Sequence, residues 1–284
     1  MSKIETVTLN NGIKMPLEGF GVFQVPDPAV CEQAVLDAIA TGYRLIDTAA
    51  AYRNEEAVGR AIAKCGVPRE ELFITTKLWV QDASYEGAKK AIETSLNKLG
   101  LSYIDLYLVH QPMCDYIGAY RAMEEAYKAG KLRAIGVCNC YPQVLADICE
   151  TVEVKPAVDQ VELHPFFQQE NALSLMREYG VQPEAWAPFA EGRHSIFTHP
   201  VLTKIGEKYG NGAGQVALRW NTQRGVAVIP KSVHKERMEQ TLDIWDFRLT
   251  DEEMAEIAAL DIGRSEIIDH TDPKLVQALH GRKL

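Results

Sequence analysis

The sequence predicts a (β/α)8 barrel of the α/β class. It forms a single domain over residues 1–284, with an N-terminal β-hairpin and a C-terminal extra helix and tail. Three observations carry this. Short apolar runs alternate eight times with stretches of helical periodicity, the order that builds a parallel sheet. At this chain length, eight such units argue for a closed barrel rather than an open sheet. Three successive runs, Arg44-Leu45-Ile46-Asp47, Phe73-Ile74-Thr75-Thr76-Lys77 and Leu106-Tyr107-Leu108-Val109-His110, stop on a titratable residue. Interior strands buried on both faces should be apolar throughout, so polar endings on three neighbours mark one rim of the barrel.

In chain order, Val7-Thr8-Leu9, Asn10-Asn11-Gly12 and Ile13-Lys14-Met15 read as strand, turn and strand, a hairpin ahead of the main fold. Leu17 to Val22 is a glycine-rich first barrel strand. Residues 28–41 follow as a helix with Val30, Ala34, Val35, Ala38 and Ile39 on one face and Gly42 as its stop. The alternation continues with strand 44–47 and helix 54–65, strand 72–77 and helix 84–99, strand 104–109 and helix 118–129, and strand 132–137 and helix 142–150. After these come strand 156–161 and helix 170–179, strand 181–187 interrupted by Pro183, helix 213–223, strand 226–230 and helix 234–241. Thr250 and Glu253 have capping-box spacing at the start of a further helix. The tail from Gly263 is expected to lie across one barrel mouth. A doubly wound sheet is the competing architecture. Its dinucleotide fingerprint is lacking, because Gly19-Phe20-Gly21-Val22-Phe23 has no third glycine and no helix directly after it.

The net charge of -9 argues against a nucleic-acid surface. No apolar run approaches the roughly 20 residues that span a bilayer, and the first residues lack the apolar stretch of a signal peptide. The expected location is the cytoplasm, with no membrane partner. The six cysteines are scattered and read as thiols. Cys138-Asn139-Cys140 is spaced too closely for an ordinary disulfide and has no second pair to hold zinc. No metal is expected.

At the C-terminal ends of barrel strands, Asp47, Lys77 and His110 can converge although they are far apart in sequence, with Tyr52 in the loop above. A phenol is a reluctant acid at neutral pH. An ammonium beside it should favour the phenolate, and a carboxylate should keep that ammonium charged and in place. Tyr52 then reads as a general acid, with His110 hydrogen-bonding a substrate oxygen. The assembly suits protonation of a carbonyl oxygen as it becomes an alkoxide. Two other readings stay open: Lys77 as a Schiff-base amine, and a nucleotide-sensing or interaction protein with little turnover.

The runs Gly42 to Ala49 with Tyr52, Thr75-Thr76-Lys77-Leu78-Trp79, Asp105 to His110, Val158 to Pro165 and Ile229-Pro230-Lys231-Ser232 resemble the aldo-keto reductase family, especially its compact microbial members. The resemblance covers the chain from the hairpin to about residue 262. It implies NADPH-dependent reduction of small aldehydes or ketones, with NADP(H) as cofactor and a monomer as the expected state, a dimer being the alternative. It makes Tyr52 the proton donor, tuned by Lys77 and Asp47, with His110 orienting the carbonyl.

For the cofactor, the resemblance implies Trp186 stacked on the nicotinamide and Asn139 and Gln160 holding its carboxamide. Lys231, Ser232 and Arg237 fall at the adenosine 2′-phosphate. Gly21, Val22, Phe23, Cys138, Phe189 and Gln240 complete the cofactor contacts. Phe23, Trp79 and the Met113 region would form apolar substrate walls beside His110. The chain departs from the family pattern at four places. Cys138 and Ala187 replace serines, Gln240 and Thr241 replace an acid and an asparagine, and Gln111 replaces an aromatic residue.

Overall fold

The computed structural model describes residues 4–283. A two-stranded antiparallel hairpin, β1 (Thr6–Thr8) and β2 (Lys14–Pro16), precedes eight parallel strands. These are β3 (Gly19–Gly21), β4 (Leu45–Asp47), β5 (Phe73–Leu78), β6 (Ile104–Val109), β7 (Leu132–Cys138), β8 (Val158–Glu162), β9 (Gln182–Trp186) and β10 (Ala227–Val228). They pair strictly in chain order, from β3 to β10. A parallel bridge from Glu18 to Val228 brings the two edges together, as do the bonds Val228 N to Leu17 O (2.9 Å) and Gly21 N to Pro230 O (3.0 Å). Closure removes the exposed edges that an open sheet would leave.

The helices in order are α1 (Pro28–Thr41), α2 (Glu55–Lys64), α3 (Tyr85–Leu99), α4 (Tyr116–Lys128), α5 (Pro142–Thr151), α6 (Glu170–Tyr179), α7 (Pro200–Tyr209), α8 (Ala213–Gln223), α9 (Lys235–Leu242), α10 (Asp251–Ala258) and α11 (Pro273–Gly281). The expected starts of α1 and α10 are explained by their caps. Asp27 accepts from the N–H groups of Ala29 and Val30 ahead of Pro28, and Thr250 and Glu253 bond reciprocally. The α4 helix starts earlier than its apolar pattern suggests, because Asp115 caps it by accepting from Gly118 N. Neither α7 nor α11 is anticipated by the sequence reading.

Proline 183 does not interrupt β9. Gln182 N bonds back to Ala157 O, and Trp186 O accepts from Leu163 N, so these alternate residues face β8. Pro183 therefore faces the other side, where β10 begins only opposite Glu184. The missing N–H falls where no ladder partner exists.

The two-residue period divides the strands into an outer and an inner face. The outer face packs on the helices. The inner face holds Leu45, Phe73, Leu106, Leu108, Ala134, Val158 and Ala227, and Leu9, Met15 and Leu17 of the hairpin segment pack against them from below. The same period then brings Asp47, Lys77, Cys138, Gln160 and Glu184 inward, above this apolar floor. Lys77 is the penultimate residue of β5, and His110 lies one residue beyond β6. These one-residue differences from the expected strand ends leave both side chains on the inner face.

Candidate active site

Lys77 is fully buried, and its Nζ donates to both oxygens of Asp47, at 2.6 and 2.8 Å, and to Thr48 O at 2.9 Å. The Tyr52 hydroxyl lies 3.4 Å from the same nitrogen. Tyr52 sits on a single 3-10 turn, residues Ala50–Tyr52, that ends with Arg53 in the left-handed region. Asn54 fixes that turn. Its Oδ1 accepts from the Thr48 hydroxyl at 2.7 Å, and its Nδ2 donates to Val22 O at 3.0 Å. Thr48 and Asn54 are positioning residues that sequence reasoning missed; a buried asparagine beside a tyrosine carries no spacing signal of its own.

Burial pulls the Lys77 pKa down, but the charge on Asp47, with Tyr52, Cys138 and the Asp47 hydrogen bond, outweighs it and keeps the ammonium charged. Lys77 pulls the Tyr52 pKa down, as the sequence reading expects, but it does not set the net direction. Burial pushes the phenol up, and the neighbouring Asp47 and Cys138 add to this, so the pull of Lys77 is overcome and the phenol stays protonated. His110 is driven the other way. Burial, then the charges on Lys77, Arg282 and His270, hold it well below the usual imidazole range, so it is neutral. Its Nδ1 is buried and without a partner among the described residues. Its ring packs edge-on to Tyr52 and Trp79, with centroids 5.7 and 5.3 Å apart.

Of these groups, Asp47, Tyr52, Trp79 and His110 line a cavity of about 680 Å³ at the C-terminal ends of the strands, and Lys77 lies sealed behind them. Of the residues singled out in the sequence, Gly21, Phe23, Asp47, Tyr52, Trp79, His110, Cys138, Asn139, Gln160, Trp186, Phe189 and Lys231 line it. Other expected residues do not. Val22 is wholly buried and serves through its backbone, donating to Asp47 O and accepting from Asn54. Met113 backs Trp79 in a small apolar cluster with Ala51, Val80 and Leu279 rather than facing the cavity. Ser232, Arg237 and Gln240 lie outside the cavity lining. The Ser232 hydroxyl accepts from His234 N at 3.0 Å, and Gln240 borders a separate depression with Glu236, Glu239 and Asp243.

The carboxamide-holding pair is also more committed than the sequence implied. Asn139 donates to His110 O at 3.1 Å, and its Oδ1 accepts from Trp186 Nε1 at 2.8 Å. Asn139 holds this pose with a left-handed backbone (φ 60°), which asparagine tolerates better than most residues. Gln160 Nε2 donates to Asp47 Oδ2 at 2.9 Å and to Glu184 Oε2 at 2.7 Å. The Cys138 thiol donates to Gln160 Oε1 across 3.7 Å, and burial keeps that thiol protonated.

The tail forms one cavity wall, as expected. Trp79 Nε1 donates to Arg282 O at 3.0 Å, Gln81 Nε2 donates to Leu279 O and His280 O at 3.1 and 3.0 Å, and Arg53 donates to Lys283 O at 2.7 Å. Ile267, Ile268, His270, Leu279 and Arg282 thereby join the lining. No sequence pattern indicated which tail residues would reach it.

The sequence profile described as Aldo/keto reductase family matches residues 19–262. The chain belongs to the aldo/keto reductase family. It is 46% identical over 257 residues to the glyoxal reductase of Bacillus subtilis (strain 168), covering 90% of this chain and 92% of that one. It is 42% identical over 267 residues to the methylglyoxal reductase DkgA of Escherichia coli (strain K12), covering 93% and 96%. Among solved structures it resembles a Bombyx mori aldo-keto reductase in complex with NADP, with a TM-score of 0.91 and 34% identity over 96% of this chain and 98% of that one. The barrel is thus the family's fold. Among the described residues, no helix is long and apolar enough to cross a membrane.

The cavity suits the family's dinucleotide. A Cβ added at Gly21 would press on Ile229 O at 3.1 Å, so glycine lets β3 lie close against the backbone after β10 at this part of the wall. From there the lining runs from Tyr52 past Trp186 and Phe189 to the cation of Lys231.

Proposed function

We propose that this reductase uses NADPH to reduce the carbonyl group of small aldehydes or ketones to an alcohol, with Tyr52 as the general acid. The observation that carries the reading is the Tyr52 hydroxyl 3.4 Å from a buried, carboxylate-held ammonium, on the wall of a cavity that also holds a neutral imidazole. Bound NADPH supplies the hydride.

The carbonyl oxygen lies between Tyr52 and His110, and the imidazole donates a hydrogen bond to it. As charge builds on that oxygen, Tyr52 passes its proton across, and the ammonium of Lys77 stabilises the phenolate left behind. A raised phenol pKa is compatible with this role, because the alkoxide that takes the proton is far more basic than a phenolate. Asp47 holds Lys77 charged and in place. Trp186, Asn139 and Phe189 would flank the nicotinamide, and Lys231, with Ser232 and Arg237 beyond the cavity edge, would meet the 2′-phosphate.

Lys77 as a Schiff-base amine is disfavoured, since it is sealed from the cavity and paired with Asp47. The reading includes a single-domain enzyme, a monomer with a dimer as the alternative; the acidic charge supports the absence of a nucleic-acid partner and the six free thiols support a cytoplasmic location.

The test mixes the protein with NADPH and a panel of reactive aldehydes and follows nicotinamide absorbance. Cofactor consumption is expected. No consumption with any aldehyde, together with no NADPH binding, would overturn the reading. Replacing Tyr52 by Phe should lower kcat by about 10²–10⁴-fold while cofactor still binds.

A further inference from the structure

The Asp47–Lys77 pair does not stand alone in the barrel interior. Gln160 spends its amide nitrogen on two carboxylates, Asp47 at 2.9 Å and Glu184 at 2.7 Å. Glu184 is wholly buried, and its Oε1 has no partner among the described residues. It faces four groups on other strands and loops: Gln160 from β8, Asp47 from β4, Lys77 from β5 and Cys138 from β7. Tyr52 lies beyond Lys77. Around one ammonium there are therefore two carboxyl groups, joined through a single amide. In a dry interior, one cation offsets one anion and leaves the second unpaired.

We propose that Glu184 is a positioning residue for the Tyr52 proton donor: through Gln160 it holds Asp47 on Lys77, and its own charge decides whether one or two negative charges surround that ammonium. The inference rests on the carbonyl-reductase reading. Tyr52 becomes transiently anionic when it gives up its proton, so a second nearby negative charge disfavours the transfer. The protonated form of Glu184 is then the faster state, and the ionised form the slower one.

The other groups at the site do not compete for this titration. His110 is neutral throughout the neutral range, whereas the Tyr52 phenol and the Cys138 thiol keep their protons through it. Burial, helped by the charge on Asp47, raises Glu184 to about 7. Two other buried acids are pushed up by burial, and both lie outside the chain of contacts from Glu184 to Tyr52: Glu18 bonds to Tyr43 and Trp245, and Asp159, on the opposite face of β8 from Gln160, accepts from Cys140 N.

The experiment measures kcat for aldehyde reduction at saturating NADPH from pH 5.5 to 9, in the parent and in Glu184→Gln, which keeps the shape of the protonated acid. The parent should lose about tenfold in kcat through a single-proton step near neutrality, and Glu184→Gln should hold the low-pH rate across the range. A parent profile without that step, or a Glu184→Gln profile that keeps it, overturns the inference. If Glu184→Gln does not fold, Glu184→Asp decides: a shifted midpoint supports the role and an unmoved midpoint overturns it. An inactive parent would instead count against the reductase reading itself.

Discussion

The Lys77 ammonium donates to both oxygens of Asp47, at 2.6 and 2.8 Å, with both side chains almost wholly buried. A buried pair of this kind adds little net stability when intact, yet removing one partner leaves a buried charge unanswered. Asp47→Asn should therefore lose about 3–5 kcal/mol of stability as well as activity. The double replacement Asp47→Leu with Lys77→Met should recover most of that stability while activity stays lost. Urea unfolding and NADPH-linked turnover, measured on the same samples, check both outcomes. A double variant no more stable than Asp47→Asn would contradict the argument.

Lys231 is the one basic residue of the 231–237 segment that reaches the cavity. If it meets the 2′-phosphate, Lys231→Ala should weaken NADPH binding by about ten- to a hundredfold, the range for losing one charge-assisted hydrogen bond. NADH, which lacks that phosphate, should bind as before. Fluorescence titration with both cofactors checks this, and an equal loss for the two would move the phosphate elsewhere.

Burial holds the Glu18 carboxyl up to about 8, against hydrogen bonds from Trp245 and Tyr43 that pull it down, whereas the unfolded chain ionises near 4.5. Between these values the folded protein keeps a proton that the unfolded chain has released. Stability from this group is thus intact below the lower value and is lost as pH rises to the upper one, at about 1.4 kcal/mol per pH unit. Glu18→Gln, which has no such titration, should gain on the parent steadily from pH 5 to pH 8. Chemical denaturation at a series of pH values tests this, and a constant gap between the two proteins would rule it out.

Helix α11 has no fully buried side chain and is held chiefly through main-chain carbonyls. Deleting the chain from Pro273 onward should leave a folded barrel, with Tm lowered by no more than a few degrees. The lost wall should raise the KM for the carbonyl compound by roughly tenfold, about 1.4 kcal/mol of contact, with NADPH affinity unchanged. Steady-state kinetics and a thermal melt on the truncated chain measure the two effects. Collapse of the fold would show that the tail supports the barrel itself.

Most of the barrel was legible because period and punctuation agree along the chain: β4 to β6 are apolar runs bounded by helices with clear stops. The cluster of Asp47, Tyr52, Lys77 and His110 was legible for a related reason, since an ionisable residue at the end of a buried run needs an explanation. Three kinds of feature were not legible. Pro183 looked like a break because one-dimensional reading cannot tell which neighbour a missing N–H would have faced. Glu184 sits in Gln182-Pro183-Glu184-Ala185-Trp186, where nothing in sequence says that its side chain turns inward to meet Gln160, a partner 24 residues away. The phenol's net raised pKa was not legible, although the pull from Lys77 was, because desolvation depends on how closely the surrounding shell packs, and residue order does not encode that directly.

The way the tail is fastened has a consequence for how this chain can change. The indole of Trp79, the amide of Gln81 and the guanidinium of Arg53 all grip backbone oxygens of residues 279–283. Such grips are blind to side-chain identity. The last turn of the molecule can therefore be rewritten by mutation, trading apolar for charged or large for small, while its path across the mouth stays fixed. If the proposed reading holds, substrate range can drift in this segment without disturbing the Asp47, Tyr52, Lys77 and His110 cluster beneath it, which makes residues 273–283 the natural place to begin a library for altered selectivity.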